Sequence, residues 1–300
     1  MPSMETENLE LFKTKYGFYQ YRPLPSVEEL SEYYGEKYYQ EGKGSYEVNY
    51  TDEEIQYMKN KVDILFLQTK RLTSFHKYST YLDLGCGEGW ALDRFHQAGF
   101  RVRGVDYSGY ALRKFHPHLA ECFQKGDAYG VVEDNLKRKE TYDVISLLNV
   151  VEHVLDPVDL LEKTRSLLSA EGVLIIVAPN DFSPLQEYLL EKGHIDKSFW
   201  LHYPDHISYF NKDNMTCLLT CLGFSIEAVL ASNPIDLNLL NDNGNYIKDP
   251  AKGKNTYFHI VRTDNFLASL NSEKWLDLYK AYADLGLGRN LAYFAIKKKE

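Results

Sequence analysis

The chain has 300 residues, 44% of them hydrophobic and 26% charged, with a net charge of −9. That length holds one α/β domain with additions, and the composition is that of an ordinary globular protein. The acidic balance argues against the phosphate backbone of a nucleic acid as the main partner.

No apolar run approaches the length of a membrane span, and the polar start Met1-Pro2-Ser3-Met4-Glu5 does not read as a signal peptide, so no membrane partner is expected. Cys86, Cys122, Cys217 and Cys221 form no C-x-x-C pair and have no neighbouring set of histidines. They read as reduced packing thiols in a cytoplasmic protein, with Cys86 in a loop, Cys122 in a strand and the last two one helical turn apart.

Residues 1–78 precede the regular part of the chain. Tyr16 to Pro25 alternates aromatic and polar residues and predicts a short strand, and Ser26-Val27-Glu28-Glu29 matches a capping box that opens a helix. Ten of the 24 tyrosines lie before Met58, among them Tyr38 and Tyr39 just ahead of Gly42-Lys43-Gly44-Ser45. Two readings stand side by side: an aromatic lid closing over a ligand, with Tyr38 and Tyr39 on the substrate, or an amphipathic helix docked on the main domain. A long helix follows from Asp52 to Phe75, with Ile55, Met58, Val62, Leu65 and Phe66 on its apolar side.

From Thr80 the chain alternates strand and helix, which predicts a parallel sheet covered on both faces. Strands are expected at 80–84, 102–105, 121–124, 142–147, 173–177, 225–231 and 292–296. The first runs straight into Gly85-Cys86-Gly87-Glu88-Gly89 and a helical pattern from Trp90. Glycines there allow positive φ and close approach of a ligand to the main chain, and the helix start favours an anion. The fifth strand leads into Ala178-Pro179-Asn180 and a long loop carrying His194, Trp200, His202, Tyr203, Asp205, His206 and Tyr209. Such a loop at the carboxyl edge of a parallel sheet is where ligands sit. Residues 232–290 are too many for a hairpin and read as a cap inserted before the last strand, with a helix at 273–284 and a polar stretch ahead of it.

A dinucleotide loop of the form G-x-G-x-x-G/A would need a small residue where Trp90 stands. The pattern Asp83-Leu84-Gly85-Cys86-Gly87-Glu88-Gly89 instead resembles the first motif of the class I S-adenosylmethionine-dependent methyltransferases. The resemblance runs over residues 78–231. It implies a Rossmann-like α/β fold: a seven-stranded, mostly parallel sheet with helices on both faces, an N-terminal helical and aromatic extension, and the inserted cap. The implied division is 1–78 extension and lid, 79–231 cofactor-binding core, 232–290 cap and 291–300 final strand. S-adenosyl-L-methionine is the implied cofactor. Asp83 would accept from its ammonium, while the amides of Gly85, Cys86 and Gly87 face its carboxylate. Asp106, 21 positions after Gly85 and followed by Tyr107, stands where a carboxylate can take both ribose hydroxyls. Asp127 and Ala128 would meet the adenine, and Asn149 and Val150 line the end of the fourth strand.

Asn149 to His153 resembles the step after strand four in small-molecule methyltransferases, and Pro204 to Phe210 resembles a branch that includes ubiquinone-pathway and sugar enzymes. The chain's ends resemble relatives in bacterial surface-polysaccharide gene clusters. The D/N-P-P-Y step of DNA amino-methyltransferases is absent.

These features predict a methyltransferase acting on a small, anionic acceptor, such as a nucleotide-linked or phosphorylated sugar or a surface-polysaccharide precursor. His206 is the first candidate for the proton acceptor and His153 the second, and Tyr203 is a further candidate catalytic residue. Locally basic residues in the cap nominate His259, Arg262 and Arg289, with Asn180, as acceptor-binding groups. No carboxylates and histidines stand at metal-ligand spacing along the sequence, so no metal is expected. The rival readings are a nicotinamide-dependent oxidoreductase on the same sheet, disfavoured by Trp90, and a non-catalytic cofactor-binding subunit. The sequence leaves the oligomeric state open.

Overall fold

The structure is a computed structural model that describes residues 9–26, 29, 49–76 and 78–298. Tyr38, Tyr39 and the Gly42–Ser45 stretch lie outside the described residues.

Among the described residues, ten strands form two sheets. The large one contains β3 (Thr80–Leu84), β4 (Arg101–Asp106), β5 (Phe123–Lys125), β6 (Tyr142–Leu148), β7 (Leu168–Pro179), β9 (Phe224–Ala231) and β10 (Asn290–Lys297). Its order is β5-β4-β3-β6-β7-β10-β9. All neighbours are parallel except around β10, which runs antiparallel to both β7 and β9. The expected seven-stranded, mostly parallel sheet is therefore present.

Its two faces can be read off the alternation of side chains. Leu82, Leu84, Ile145, Leu147, Leu174 and Ile176 share one buried cluster, while Tyr81, Val144, Val173 and Ile175 share another. Successive residues of a strand point to opposite faces, so each apolar run feeds two cores, and helices must cover both.

Several boundaries differ from expectation for local reasons. The first long helix spans Asp52–Leu72 and ends at Thr73, whose backbone is extended. It opens with a capping box in which Thr51 Oγ1 accepts from the Glu54 amide at 3.3 Å and Glu54 returns a carboxylate to the Thr51 amide at 2.8 Å. Residues 117–122 form a 3₁₀ turn opened by Pro117, so Cys122 ends that turn and the strand begins at Phe123. The strand β7 starts five residues earlier than its apolar run because Leu168 already pairs with Tyr142. The Ser26–Glu29 capping pair forms as expected, with both reciprocal bonds present.

The short strand expected between Tyr16 and Pro25 forms at Tyr19–Arg22, but the sheet it joins and one helix were not foreseen. A small sheet joins β1 (Glu10–Lys13), β2 (Tyr19–Arg22) and β8 (Ser208–Tyr209) over a cluster of Leu189, Ile195, Trp200, Tyr209 and Leu239. The polar stretch of residues 232–290 contains an 18-residue helix, Gly253–Leu270, ahead of the expected one, observed at Ser272–Asp284. No helix among the described residues is long and apolar enough to cross a membrane.

Candidate active site

The carboxyl ends of β3, β4, β6 and β7 open on a cavity of about 830 Å³, roofed by helix Asp52–Leu72 and by the segment before β10. Its floor is the glycine loop. The amides of Gly85 and Cys86 both donate to the Val105 carbonyl, at 2.8 and 2.9 Å, and the Gly87 amide donates to Asp106 Oδ2 at 2.9 Å. Gly85 has φ +80°, and a Cβ there would come within 2.5 Å of Val150 Cγ2. Only glycine lets the loop pass this close to the end of β6.

Asp106 is buried at the end of β4, and besides the Gly87 amide it receives the Ser108 amide at 3.4 Å. One carboxylate thus fixes the loop and faces the cavity together with Tyr107. Burial, with Asp127 and Asp106 nearby, pushes the Tyr107 hydroxyl up to about 12. Asp127 is the N-cap of helix Ala128–Lys137, its Oδ1 accepting from the Gly130 amide at 2.9 Å, and it lines the cavity with Ala128.

Asp83 lies beneath the loop, 1% exposed, and accepts from Ser146 Oγ at 2.5 Å; the Tyr81 hydroxyl sits 2.6 Å from the same Oγ. Burial pushes its carboxyl up to about 7 against the hydrogen bonds that favour its charge. Cys86 is buried in the loop and its thiol is raised by burial, so it is no nucleophile at neutral pH. Asn149, with φ +54°, presents its side chain at the end of β6, where its Oδ1 accepts from Asn290 at 3.0 Å.

The opposite wall is built from two segments. Glu152 carries the amides of Ile207 and Ser208 on its carbonyl, at 2.8 and 3.1 Å, which docks the loop before β8 onto the end of β6. This brings His153 and His206 into edge contact, ring centres 5.0 Å apart. His153 Nδ1 is 2.6 Å from the Asp205 carbonyl. A carbonyl only accepts, so Nδ1 carries the proton and Nε2 is left with its lone pair, directed by a backbone contact.

The two candidate histidines differ in their surroundings. Burial, with the neighbouring His153, His202 and Arg289, lowers His206 to about 3, too weak a base to take a hydroxyl proton. His153 is also lowered by burial, but Asp205 opposes that shift. The buried Glu152, 1% exposed, has a carboxyl held well above the usual range by burial, and its Oε2 has no hydrogen-bond partner among the described residues.

The expectation of no metal-ligand cluster is also corrected. Ligand atoms of Glu152, His153 and His206 lie within 4.8 Å of one another, as do those of Asp93, His96 and His118. Linear spacing hides the first set because its members come from segments over fifty residues apart.

One candidate catalytic residue and four candidate acceptor-binding residues sit elsewhere or are already engaged. Tyr203 stacks edge-on against Tyr21, ring centres 5.2 Å apart, and does not line the cavity. Asn180 is buried and donates to the carbonyls of Gly286 and Gly288, at 3.0 and 3.1 Å, tying the end of β7 to the turn before β10. Arg262 points outward and pairs with Glu53 at 3.2 Å, and His259 is exposed outside the cavity. Arg289 does line the cavity, but its guanidinium is already paired with Asp181 at 2.9 Å.

A family model described as "Methyltransferase domain" matches residues 54–229, more than half of the chain. The chain belongs to this methyltransferase family. Among curated relatives, a ubiquinone biosynthesis O-methyltransferase of Actinobacillus pleuropneumoniae is 29% identical over 140 residues, covering 45% of this chain and 58% of the relative. The match thus spans little more than half the length of that relative. Among solved structures, an S-adenosylmethionine-dependent methyltransferase from Clostridium acetobutylicum is 11% identical, with 81% of this chain and 92% of that chain covered at a TM-score of 0.47. Another from Archaeoglobus fulgidus is 20% identical, with 79% and 94% covered at a TM-score of 0.46.

In this methyltransferase several cavity residues lacked an obvious sequence signal. Tyr50 donates to Glu88 Oε1 at 2.8 Å and Trp90 Nε1 to Oε2 at 2.6 Å, closing the far end of the glycine loop. Tyr57, Lys61 and Leu65 recur at helical spacing on the wall formed by helix Asp52–Leu72. That periodicity was visible, but a lysine inside it reads as solvated surface.

Proposed function

We propose that this protein transfers the methyl group of S-adenosylmethionine to a small hydroxyl-bearing, anionic acceptor. The observation that carries this reading is the shared cavity: a glycine loop tied to the β4 carboxylate on one side, and His153 with its lone pair at Nε2 on the other.

The residues fit the cofactor. The loop passes close enough to β6 that Gly85 admits no Cβ, and Asp106, Tyr107, Asp127 and Ala128 line one continuous wall for a nucleoside. S-adenosylmethionine supplies an electrophilic methyl group on a sulfonium. Asp83 is suited to an ammonium, which would hold its carboxyl in the charged form. His153 Nε2 would take the acceptor's hydroxyl proton, while its Nδ1–H stays on the Asp205 carbonyl and fixes the ring. Apolar side chains from helix Asp52–Leu72, including Met58, Val62 and Leu65, exclude water from the same space.

An oxygen acceptor is favoured by the imidazole in the wall and by the name of the curated relatives, an O-methyltransferase of ubiquinone biosynthesis. Nucleotide-linked or phosphorylated sugars and other hydroxyl-bearing acids belong to the proposed class. The test is direct: purified protein should bind S-adenosylmethionine calorimetrically and release S-adenosylhomocysteine only with an acceptor present. Binding of a nicotinamide cofactor instead would favour the oxidoreductase reading, and cofactor binding without product across acceptor pools would favour a non-catalytic subunit.

A further inference from the structure

Most cations near the cap are already committed. Arg262 is paired with Glu53, Arg289 with Asp181, and Lys248 and Lys252 donate to the Gly193 and Asp242 carbonyls at 3.1 and 2.6 Å. Lys61 is different. It projects from helix Asp52–Leu72 into the cavity wall, its ammonium 5.1 Å from the centre of the Tyr57 ring, and no hydrogen bond or ion pair reaches it among the described residues.

Two acids are near, and both are occupied. Glu88 accepts from Tyr50 and Trp90, and Asp264 accepts from Asn233 at 2.8 Å and from the Tyr279 hydroxyl at 2.6 Å. Lys61 is exposed, and the atoms packed around it still lower its pKa in spite of both acids. Its three donors meet no protein acceptor among the described residues, so a ligand entering the cavity can take the place of water there.

We propose that Lys61 is the anion-binding residue of this cavity and that its ligand group is a carboxylate. The flanking Glu88 and Asp264 argue for a monoanion, since a dianionic phosphate would face two fixed carboxylates with a single ammonium to balance it. Rather than Arg262 or His259, Lys61 gives the acidic protein its anion site. The inference rests on the methyltransferase reading, because a carboxylate can come from two sources: the amino-acid end of the cofactor or an acidic acceptor.

The test uses Lys61→Met, which keeps the stem and removes the charge, beside Lys61→Arg, which keeps the charge. Three probes are titrated calorimetrically: S-adenosylhomocysteine, 5′-methylthioadenosine (which lacks the amino-acid end), and salicylate added to protein saturated with S-adenosylhomocysteine. If the carboxylate is the cofactor's, Lys61→Met weakens S-adenosylhomocysteine by about tenfold or more and changes methylthioadenosine less than about twofold. If it is the acceptor's, S-adenosylhomocysteine binds as before and salicylate binding is lost. In either case Lys61→Arg retains most of the affinity. The proposal is overturned if Lys61→Met matches wild type with all three probes, or if it loses S-adenosylhomocysteine and methylthioadenosine alike. Wild-type protein that binds no S-adenosylhomocysteine would instead overturn the methyltransferase reading.

Discussion

Asp83 shows how one side chain couples binding to stability. Folding raises its carboxyl from 3.8 to about 7, chiefly through burial. A carboxyl raised in this way binds a proton more tightly in the folded state, so it lowers stability progressively as pH climbs from about 4 to about 7. Asp83→Asn should therefore melt higher than wild type at pH 8, with the gain vanishing toward pH 4, and should bind S-adenosylmethionine poorly at every pH. In the wild type, cofactor affinity should rise from pH 6 to pH 8 as the carboxylate forms; a flat profile would remove Asp83 from the ammonium. On the opposite wall, His153→Gln should cost at least about 10²-fold in kcat with cofactor affinity unchanged. Asp106→Ala should weaken cofactor binding by about 1.5–3 kcal/mol, the range for losing hydrogen bonds to a charged group.

At the scale of elements, the glycine loop is the most demanding part of the chain. Gly85→Ala meets both a positive φ and the methyl of Val150, so it should destabilise the protein by about 1–3 kcal/mol. Adding Val150→Ala should recover only the contact part of that loss, which denaturant melts of the single and double variants can separate. This loop was legible in the sequence because its chemistry is local: glycines, a preceding acid and a following helix. The strands β3, β6 and the centre of β7 were legible for the same reason, since a run buried on both faces is continuously apolar. The helix Gly253–Leu270 was not. Its buried face is Thr256, Ile260, Val261 and Asp264, and two polar residues in that stripe hide the period. The histidine wall was half legible. His153 and His206 were each visible, but only the docking of one loop on the Glu152 carbonyl puts them in contact, and only the fold buries His206 beside His153, His202 and Arg289, which lowers its basicity.

The position of β10 in the whole molecule has a consequence for how the protein is made. It lies inside the large sheet, between β7 and β9, and Leu291, Tyr293, Phe294 and Ala295 on it are almost fully buried. While a ribosome is still adding residues 232–289, β7 and β9 have no strand between them, and each has an unpaired edge facing the gap. Unpaired edges recruit other chains. The nascent protein is therefore most vulnerable during the synthesis of residues 232–289, and chaperone binding should peak over that window. A chain stopped after Arg289 would hold every cavity residue but Asn290 and Ala292, yet should be recovered mainly in the insoluble fraction.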